Sequence, residues 1–479
     1  MSSFLTAARR QRELEQLPSQ RLEVLVVGGG VTGAGIALDA ASRGLQVALV
    51  EKDDLAFGTS RWSSKLVHGG LRYLASGDVG IAFESAQERG ILMRRTAPHL
   101  IRPLPMAIPL GHDIDRKGQA LVGAGARAAG LLRLATGTPQ SVLPGARRVG
   151  VAETLRLLPA VRRDGLRGAW VNWDGHLEDD ARLVVAIART AAAHGARILT
   201  RVRFDEGRLT DTLTGESLAY QAKTVVLATG AWSPGTTPSK GVHVVLDAAR
   251  LGHPTASITV PVPGEANRYV FALPHGDGIV HVGLTDDPLD GPLPEVPKAE
   301  EHEIAFLLDT LSRGLEVPLD RSDVIGSFAG VRPLVTGAEG RTADLSRRHT
   351  VALQDGLLTV LGGKLTTYRR MAQDAVDLLS DVPCRTKDLP LVGAGSTGRD
   401  RLSRRYGSEA SQVAAGTMEP VADGVPVLRA ELEWGLRAEG ALTVEDLLER
   451  RTRLSLVDAW GEAARPVAES VLEEGHAKA

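Results

Sequence analysis

The chain has 479 residues, of which 43% are hydrophobic and 24% charged, and its formal net charge is −2. This composition is ordinary for a globular protein, and the balanced charge excludes a strong field that would attract nucleic acid. A single cysteine, Cys384, excludes an internal disulfide and disfavours a thiolate metal site. No run of residues approaches the roughly 20 apolar residues that span a bilayer. At about 150 residues per domain, the length predicts about three structural units.

A glycine-rich turn between two predicted strands is the most informative feature of the sequence. In chain order the segment comprises strand Val24–Val27, Gly28, Gly30, Gly33, helix Ala34–Ser42, strand Val47–Val50 and Glu51. The first glycine allows a tight turn, the second lets a pyrophosphate approach the backbone, and the third lets helix and strand pack closely. The helix N-terminus offers unpaired N–H groups to phosphates, and the acid can accept hydrogen bonds from ribose hydroxyls. We therefore predict a bound adenine dinucleotide.

A hydroxyl-rich loop follows this unit at residues 57–72. It contains Thr59, Ser60, Ser63 and Ser64, together with Lys65 and His68. Many short donors in one loop can hold a phosphate and a ribityl chain. The alternative is a solvated surface loop, and the sequence by itself does not separate the two.

The rest of the chain alternates predicted helices and strands. In order these are helix Gly80–Ala97, a proline-rich exit, a Gly/Ala-rich apolar segment at 118–137, helix Asp180–His194, strand Ala196–Arg201, strand Lys223–Ala228, a meander of strands Ser257–Val260, Tyr269–Leu273 and Ile279–Gly283, helix Glu301–Leu311, strands Thr350–Leu353 and Leu357–Leu361, and helices from Asp400 to Glu474. A small-residue turn at 228–232 follows a predicted buried strand, which indicates a second cofactor contact.

Six motifs in a fixed order carry a family resemblance. They are SSKLVHGGLRYL (63–74), EDDARLV (178–184), SKGVHVV (239–245), GVRPL (330–334), GGKLTTYR (362–369) and ERRTRL (449–454). With them the chain, from about Leu22 to Leu456, resembles the FAD-dependent glycerol-3-phosphate dehydrogenases of the aerobic, membrane-associated type. That family lies within the D-amino-acid-oxidase and glycine-oxidase superfamily. The chain departs from the family pattern at Thr32, Arg61, Trp62, His275 and Leu284.

The resemblance implies an α/β fold. A Rossmann-like FAD-binding domain would be joined to a substrate domain with a mixed or antiparallel sheet and to a C-terminal helical cap. The expected bounds are 21–90, 165–240 and 345–385 for the FAD-binding domain, 91–164 and 241–344 for the substrate domain, and 395–479 for the helical domain. FAD is expected to be held non-covalently, because no attachment site of the family type is apparent.

The resemblance also assigns residues to the cofactor. Together with the glycine turn, the expected contacts are Gly28, Gly30, Gly33, Glu51, Thr59, Ser60, Ser63, Ser64, Lys65, Gly69, Val202, Gly230, Lys364, Thr366 and Thr367. The helix that begins after Gly363 would direct the positive end of its dipole at the flavin.

Candidate catalytic residues follow from the chemistry that the resemblance implies. Oxidation of a secondary alcohol needs a proton acceptor, and the alignment favours His68, whose unperturbed pKa of about 6.5 suits that role. His243 is the rival base. Substrate phosphate needs fixed cations, and Arg72 and Arg332 match pocket positions of the family, with Tyr73 adding a hydrogen bond. Lys364 would approach the flavin or the substrate.

The expected function is oxidation of sn-glycerol 3-phosphate to dihydroxyacetone phosphate, with electrons passed to a membrane quinone. The alternatives are an oxidase that uses oxygen, an FAD oxidoreductase that acts on an amine or hydroxy acid, and a non-catalytic FAD-binding protein. We expect a cytoplasmic protein that contacts the inner face of the membrane peripherally through Lys117–Arg133, with Arg147 and Arg148 beside it. A homo-oligomer is left open.

Overall fold

The strand that precedes the glycine turn lies in the middle of a six-stranded sheet. The computed structural model describes residues 1–70, 73, 77–111, 116–265, 268–289, 291–335, 348–395 and 398–477. The strands are β1 (Arg21–Val27), β2 (Val47–Glu51), β3 (Leu66–Val67), β4 (Ile101–Pro109), β5 (Arg147–Val149), β6 (Ala169–Leu177), β7 (Arg197–Thr200), β8 (Val202–Asp205), β9 (Arg208–Asp211), β10 (Ser217–Leu218), β11 (Gln221–Leu227), β12 (Thr236–Asp247), β13 (Ser257–Pro261), β14 (Tyr269–Pro274), β15 (Ile279–Gly283), β16 (Asp287–Pro288), β17 (Val324–Val335), β18 (Thr350–Gln354) and β19 (Leu357–Leu361).

The helices lie on both sheets and at the C-terminal end. They are α1 (Ala7–Gln16), α2 (Val31–Ser42), α3 (Val79–Ile91), α4 (Arg116–Ala135), α5 (Val151–Leu157), α6 (Asp180–Ala193), α7 (Glu301–Ser312), α8 (Tyr368–Val376), α9 (Arg401–Tyr406), α10 (Ala410–Val413), α11 (Arg429–Ala438) and α12 (Asp458–Ala477). A π-helical turn covers Asp446–Arg451. In the part of the chain that the structure describes, we find no helix with both the length and the apolar character needed to cross a membrane.

The first sheet has the order β18-β19-β11-β1-β2-β7, and all of its strands except β18 run parallel. Helices α2, α6 and α8 cover one face with a continuous apolar core. The chain proceeds from β1 to β2 on one side, and β11 lies on the other side of β1. Ligands of such sheets bind where the strand order reverses, at the carboxyl ends of the strands. The glycine turn after β1 therefore lies at the expected place.

The second sheet has ten strands, of which eight follow one path in the order β16-β12-β15-β14-β13-β4-β6-β3, while β17 pairs with β12 and β5 with β6 off that path. Val242, Val244 and Leu246 on β12 point to an apolar cluster shared with α7. Because successive strand residues alternate between faces, His243 and its odd-numbered neighbours point to the opposite face. That face carries the candidate site.

The long antiparallel pair of β12 and β17, whose strands are far apart in the chain, was not predicted, because glycines interrupt both strands. Each glycine leaves space for another group on the site-bearing face. A Cβ atom at Gly241 would lie 2.0 Å from Arg332 Nη2, one at Gly330 2.6 Å from Trp62 Cβ, and one at Gly326 2.0 Å from the Leu456 carbonyl oxygen.

Strand β4 lies where the sequence predicted a proline-rich exit from a helix. Its prolines are Pro103, Pro105 and Pro109, all at odd positions, so their missing N–H groups share one edge. The even-numbered residues keep their N–H groups on the other edge, and β4 pairs with β6 from Ile101 to Pro109. Alternating prolines are therefore compatible with this strand.

Helices α11 and α12 and the Asp446–Arg451 turn enclose a separate apolar core, in agreement with the helices predicted from Asp400 onward. Strand β6 pairs within the ten-stranded sheet, and the helix after it, α6, packs on the first sheet. The domain bounds given from the sequence stay a prediction.

Candidate functional site

The glycine turn has the close backbone packing that the fingerprint requires. Gly28 has a φ of +112°, and a Cβ atom there would lie 2.5 Å from the carbonyl oxygen of Ala228, at the end of β11. A Cβ atom at Gly33 would lie 1.9 Å from the Gly28 carbonyl oxygen, and one at Gly30 would lie 3.1 Å from Ser60 Oγ. Larger residues cannot occupy the first and third positions without moving the backbone, and the second keeps the turn open to a ligand.

Glu51 organises the turn from the end of β2. The Gly29 N–H donates to its Oε2 at 2.6 Å and the Asp53 N–H to its Oε1 at 2.9 Å. Burial raises the pKa of this carboxyl, and the two N–H donors oppose that effect. Each carboxylate oxygen has a further lone pair for a ribose hydroxyl. Glycine cradle, helix start and carboxylate together fit an adenine dinucleotide.

The hydroxyl-rich loop is part of this cradle. Ser60 Oγ accepts a hydrogen bond from the N–H of Val31, the first residue of α2, at 2.9 Å. Thr59 Oγ1 donates to the carbonyl oxygen of Val331 on β17 at 2.6 Å. The loop thus connects the helix start to the second sheet, which is not the behaviour of a solvated surface loop. Its cofactor contacts stay a prediction.

A buried ion pair braces the middle of the loop. Lys65 Nζ lies 2.9 Å from Asp180 Oδ2 and donates to the carbonyl oxygens of Arg61 and Ser63. Ser63 Oγ donates to the same carboxylate at 2.7 Å. Burial lowers the pKa of Lys65 to about 8, although Asp180 acts in the opposite direction. The Lys65 ammonium group therefore holds the loop, and a contact of this residue with a cofactor would use its main chain.

His243 is the most enclosed of the candidate catalytic residues. Its Nε2 lies 2.9 Å from Ser64 Oγ, and its ring stacks on Phe328 with centroids 4.7 Å apart and an interplanar angle of 9°. Burial lowers the pKa of His243 to about 3, and the cations of Lys65 and Arg332 act in the same direction. The imidazole is therefore neutral at pH 7, and its burial opposes the uptake of a proton.

Arg332 lies on the same face of the β12–β17 strand pair, opposite Ser239. Its Nη1 is 3.0 Å from Asp286 Oδ1, and its Nη2 donates to the Thr285 carbonyl oxygen at 2.9 Å. The guanidinium group crosses Gly241, where there is no side chain to obstruct it. These contacts fix the orientation of the cation on the site-bearing face.

A second group of candidates surrounds Lys364. Its Nζ lies 2.7 Å from Ser85 Oγ and 4.0 Å from the centroid of the Tyr73 ring. The Tyr73 ring lies 6.2 Å from the ring of His68. The structure thus brings these three predicted residues together. Arg72, the other predicted phosphate ligand, lies outside the described residues.

The remaining predicted cofactor residues occupy three places. Gly230 lies in the turn after β11 with a φ of +60°, close to the glycine turn, and Thr366 and Thr367 are buried where the chain enters α8. The Val202 side chain is buried in the core beneath β1 and β2, so only its main chain could meet a ligand. All four stay predictions as cofactor contacts.

Two residues that hold the site were not found from the sequence. Asp174 on β6 accepts from the Gly69 N–H at 2.8 Å and pairs with Arg89 at 2.6 Å, which fixes the turn after His68. Phe328 supplies the surface on which His243 stacks. Neither lies in a motif. Asp180, in contrast, lies within EDDARLV, which was a usable signal.

Comparisons with known proteins agree with this geometry. Residues 23–369 match the FAD dependent oxidoreductase family, and residues 384–477 match the C-terminal domain of alpha-glycerophosphate oxidase. Glycerol-3-phosphate dehydrogenase 1 of Mycobacterium tuberculosis is 49% identical over 98% of this chain and 99% of that protein. This chain belongs to the FAD-dependent glycerol-3-phosphate dehydrogenase family. Glycerol-3-phosphate dehydrogenase 2 of the same organism is 35% identical over 98% of this chain and 88% of that protein.

Solved structures share the fold of this chain. The glycerol-3-phosphate dehydrogenase of Bacillus halodurans, complexed with FAD, has a TM-score of 0.74 and 28% identity and covers 97% of this chain and 94% of its own. The FAD-bound L-alpha-glycerophosphate oxidase of Mycoplasma pneumoniae, at 18% identity and a TM-score of 0.57 over 78% of this chain and 99% of its own, shows the shared fold alone. The predicted resemblance, fold class, enzyme class and FAD cofactor are confirmed for this glycerol-3-phosphate dehydrogenase family member.

Proposed function

We propose that this chain oxidises the secondary hydroxyl of sn-glycerol 3-phosphate to give dihydroxyacetone phosphate. The observation that carries the proposal is that Arg332 and His243 lie on one face of the β12–β17 strand pair. On this face His243 contacts Ser64 of the hydroxyl-rich loop. A fixed guanidinium suits a phosphate dianion, and a neutral imidazole suits the hydroxyl proton. Bound FAD supplies the hydride acceptor.

The phosphate would bind to cations that are already oriented. Arg332 is held by Asp286 and by main-chain oxygens, so little side-chain entropy remains to be lost when an anion binds. Arg72 and Tyr73 are expected to complete the phosphate site. Lys364 would contribute positive charge near the reacting carbon.

The proton of the alcohol needs an acceptor, and His243 is the proposed base because it lies on the same strand face as Arg332, with His68 as its rival. Burial keeps His243 neutral, and its Nε2 lies 2.9 Å from the Ser64 hydroxyl oxygen. A substrate hydroxyl that took the place of the Ser64 hydroxyl could donate to Nε2. His68, next to Tyr73, would then orient the substrate or the cofactor edge.

Anaerobic bleaching of the bound flavin tests the activity. sn-Glycerol 3-phosphate should remove the yellow absorbance rapidly, whereas glycerol and D-alanine should leave it unchanged at the same concentration. His243→Asn should slow this bleaching more than His68→Asn, because removing a general base costs roughly 10²- to 10⁴-fold. Bleaching by glycerol or the amino acid, with none by the phosphate ester, would contradict the proposed substrate.

We propose that the electrons pass to a quinone and that helix α4 contacts the membrane surface. Leu121, Leu131 and Leu134 are 74%, 67% and 62% exposed, and Leu131 and Leu134, three residues apart, share one face of the helix. On the neighbouring helix α3, Val79 is 60% and Phe83 40% exposed. Exposed apolar side chains of this size on adjacent helices are typical of a surface that meets a partner or lipid.

Part of the predicted membrane face points inward. Arg133 is buried and donates to the Thr138 carbonyl oxygen, and Leu132 is half-buried. Arg147 pairs with Glu153. The lipid contact would therefore depend on the three exposed leucines more than on basic side chains.

Liposome flotation tests this contact. The protein should float with anionic vesicles at low salt, and the triple change of Leu121, Leu131 and Leu134 to Ser should leave it in the soluble fraction. The matched control changes Leu213, Leu353 and Leu357 to Ser, since these leucines are also exposed but lie on strands and loops elsewhere. Equal loss of flotation in both triple variants, or no flotation of the unchanged protein, would exclude α4 as the membrane contact.

A further inference from the structure

The C-terminal unit reaches the cofactor loop through a buried cluster of arginines. Arg450 Nε lies 2.7 Å from Asp54 Oδ2, and Arg451 grips the same carboxylate with both terminal nitrogens, at 2.7 and 2.8 Å. All three side chains are at most 2% exposed. Burial alone would raise the pKa of Asp54, but Arg451 and then Arg450 hold it well below its ordinary value.

Asp54 lies at a sensitive point of the chain, between Glu51 and the hydroxyl-rich loop. Two residues further on, the Ala56 N–H donates to the carbonyl oxygen of Gly29 at 3.0 Å. Gly29 in turn donates to Glu51. A displacement of Asp54 would therefore be passed directly to the glycine turn that is expected to hold the pyrophosphate.

A second contact joins the same C-terminal segment to Arg61 and Trp62 of the hydroxyl-rich loop. Glu449 pairs with Arg61 at 2.5 Å, and Arg453 donates to the Arg61 carbonyl oxygen at 2.5 Å. The guanidinium groups of Arg61 and Arg453 lie 4.2 and 5.1 Å from the Trp62 ring centroid. Trp62 is thus enclosed by cations from both units.

Trp62 connects this clasp to the proposed base. Its ring stacks on Phe328 of β17 with centroids 5.8 Å apart, and Phe328 stacks on His243 of β12. The Trp62 Cβ occupies the space left open at Gly330. A contiguous packed path therefore runs from Arg453 through Trp62 and Phe328 to His243.

We propose that the arginine clasp, formed by Glu449, Arg450, Arg451 and Arg453, is a positioning element for FAD and for His243. The C-terminal unit would act on the reaction by fixing residues 54–65 and would touch neither cofactor nor substrate. The part concerning His243 rests on the proposed function. The part concerning FAD rests only on the glycine turn and the loop.

Buried ion pairs add little net stability compared with apolar packing of the same volume, but losing one partner leaves a costly unpaired charge. A general stability effect must therefore be separated from a positioning effect. The chain offers a matched control at the same interface. Arg189 grips Glu409 of the C-terminal unit with both terminal nitrogens, at 2.7 and 2.8 Å, far along the sequence from the loop.

The test compares Asp54→Asn with Glu409→Gln in apoprotein reconstituted with FAD, by flavin fluorescence titration without substrate. Because the loop beside the glycine turn loses its anchor, we expect a Kd for FAD that is higher by roughly tenfold or more in Asp54→Asn. Glu409→Gln should lower the melting temperature but leave the Kd within about twofold. If both variants weaken FAD equally, or neither does, the clasp is not a positioning element.

If Asp54→Asn does not fold, Arg453→Gln takes its place, because it leaves both partners of Asp54 intact. Its Kd for FAD should rise, and the rate of flavin reduction at saturating substrate should fall with an unchanged KM. Trp62→Phe should behave as the unchanged protein, since it keeps the stack, whereas Trp62→Leu should reproduce the slow reduction. An Arg453→Gln variant with normal Kd and normal reduction would overturn the proposal. Because the Kd is measured without substrate, this result stands apart from the choice of substrate.

Discussion

Replacing Arg332 by Ala is expected to lower kcat/KM for sn-glycerol 3-phosphate by roughly ten- to a hundred-fold or more, because a hydrogen bond to a charged group contributes about 1.5–3 kcal/mol. Arg332 is fixed by Asp286 and Thr285 before any anion binds, so its loss removes a preformed contact. The measurement is steady-state kinetics with a dye acceptor. The FAD content should remain that of the unchanged protein.

Two comparisons give this result its meaning. Arg332→Lys keeps the charge but loses the bidentate fork, so its kcat/KM should lie between those of the unchanged protein and of Arg332→Ala. Any turnover of a phosphate-free diol at very high concentration should be the same in the unchanged protein and in Arg332→Ala. Normal turnover of glycerol 3-phosphate by Arg332→Ala would remove this residue from the phosphate site.

Acidification is expected to destabilise the protein steeply below pH 6.5. Burial lowers the pKa of six of the described histidines, with that of His99 at about 4, that of His243 at about 3 and that of the more exposed His194 also lowered. The other three form a chain of rings, in which His176 and His275 lie 5.1 Å apart and His275 and His281 4.8 Å apart. Burial again lowers all three pKa values.

The charged groups around these rings do not reverse the effect. Lys65 lowers the pKa of the three clustered histidines, and Arg102 lowers that of His176, whereas Glu178 raises the pKa of His176 and His275. Asp277 also raises the pKa of His275. The net result is that the folded protein keeps these rings neutral, while the unfolded chain binds protons below about pH 6.5. Stability is therefore present above that pH and is lost as the pH falls.

Each such histidine should reduce the free energy of unfolding by about 1.4 kcal/mol per pH unit once the pH is below 6.5 and above its folded pKa. Urea unfolding of the holoprotein at pH 7.5, 6.5 and 5.5 measures the slope. His281→Phe should reduce this slope by about 1.4 kcal/mol per pH unit, which corresponds to one proton fewer taken up on unfolding. His302→Gln is the control, since His302 is 75% exposed. A flat profile down to pH 5.5 would show that these rings are not held neutral.

The cofactor half of the site was predictable from the sequence because its determinants are local. The turn after β1, the helix α2 and the acid at the end of β2 stand within one βαβ unit, and each has a backbone reason to be glycine or carboxylate. The structure places them as predicted. A cofactor role for the hydroxyl-rich loop could also be proposed from the sequence. Its contacts with Asp180 could not, because they depend on how the chain folds.

The substrate half depends on residues brought together from distant parts of the chain. His243 and Arg332 were found through family motifs, but the Phe328 ring, Asp286 and Ser239 acquire their roles only when β12 and β17 pair. Both strands contain glycine and proline, which are unfavourable signals for a long strand. Strand propensity gave the wrong expectation here, because other groups of the protein pack into the space that each glycine leaves.

Those gaps limit how the scaffold can change. Gly241 accommodates the cation proposed for phosphate, Gly330 accommodates the tryptophan beside the cofactor loop, and Gly326 accommodates the main chain of the C-terminal unit. One pair of strands thus sets three separate spacings, so a new side chain at any of these positions would disturb a different part of the enzyme. A redesign aimed at other polyol phosphates should therefore vary the loops that face β12 and β17 and leave the glycines of these strands unchanged.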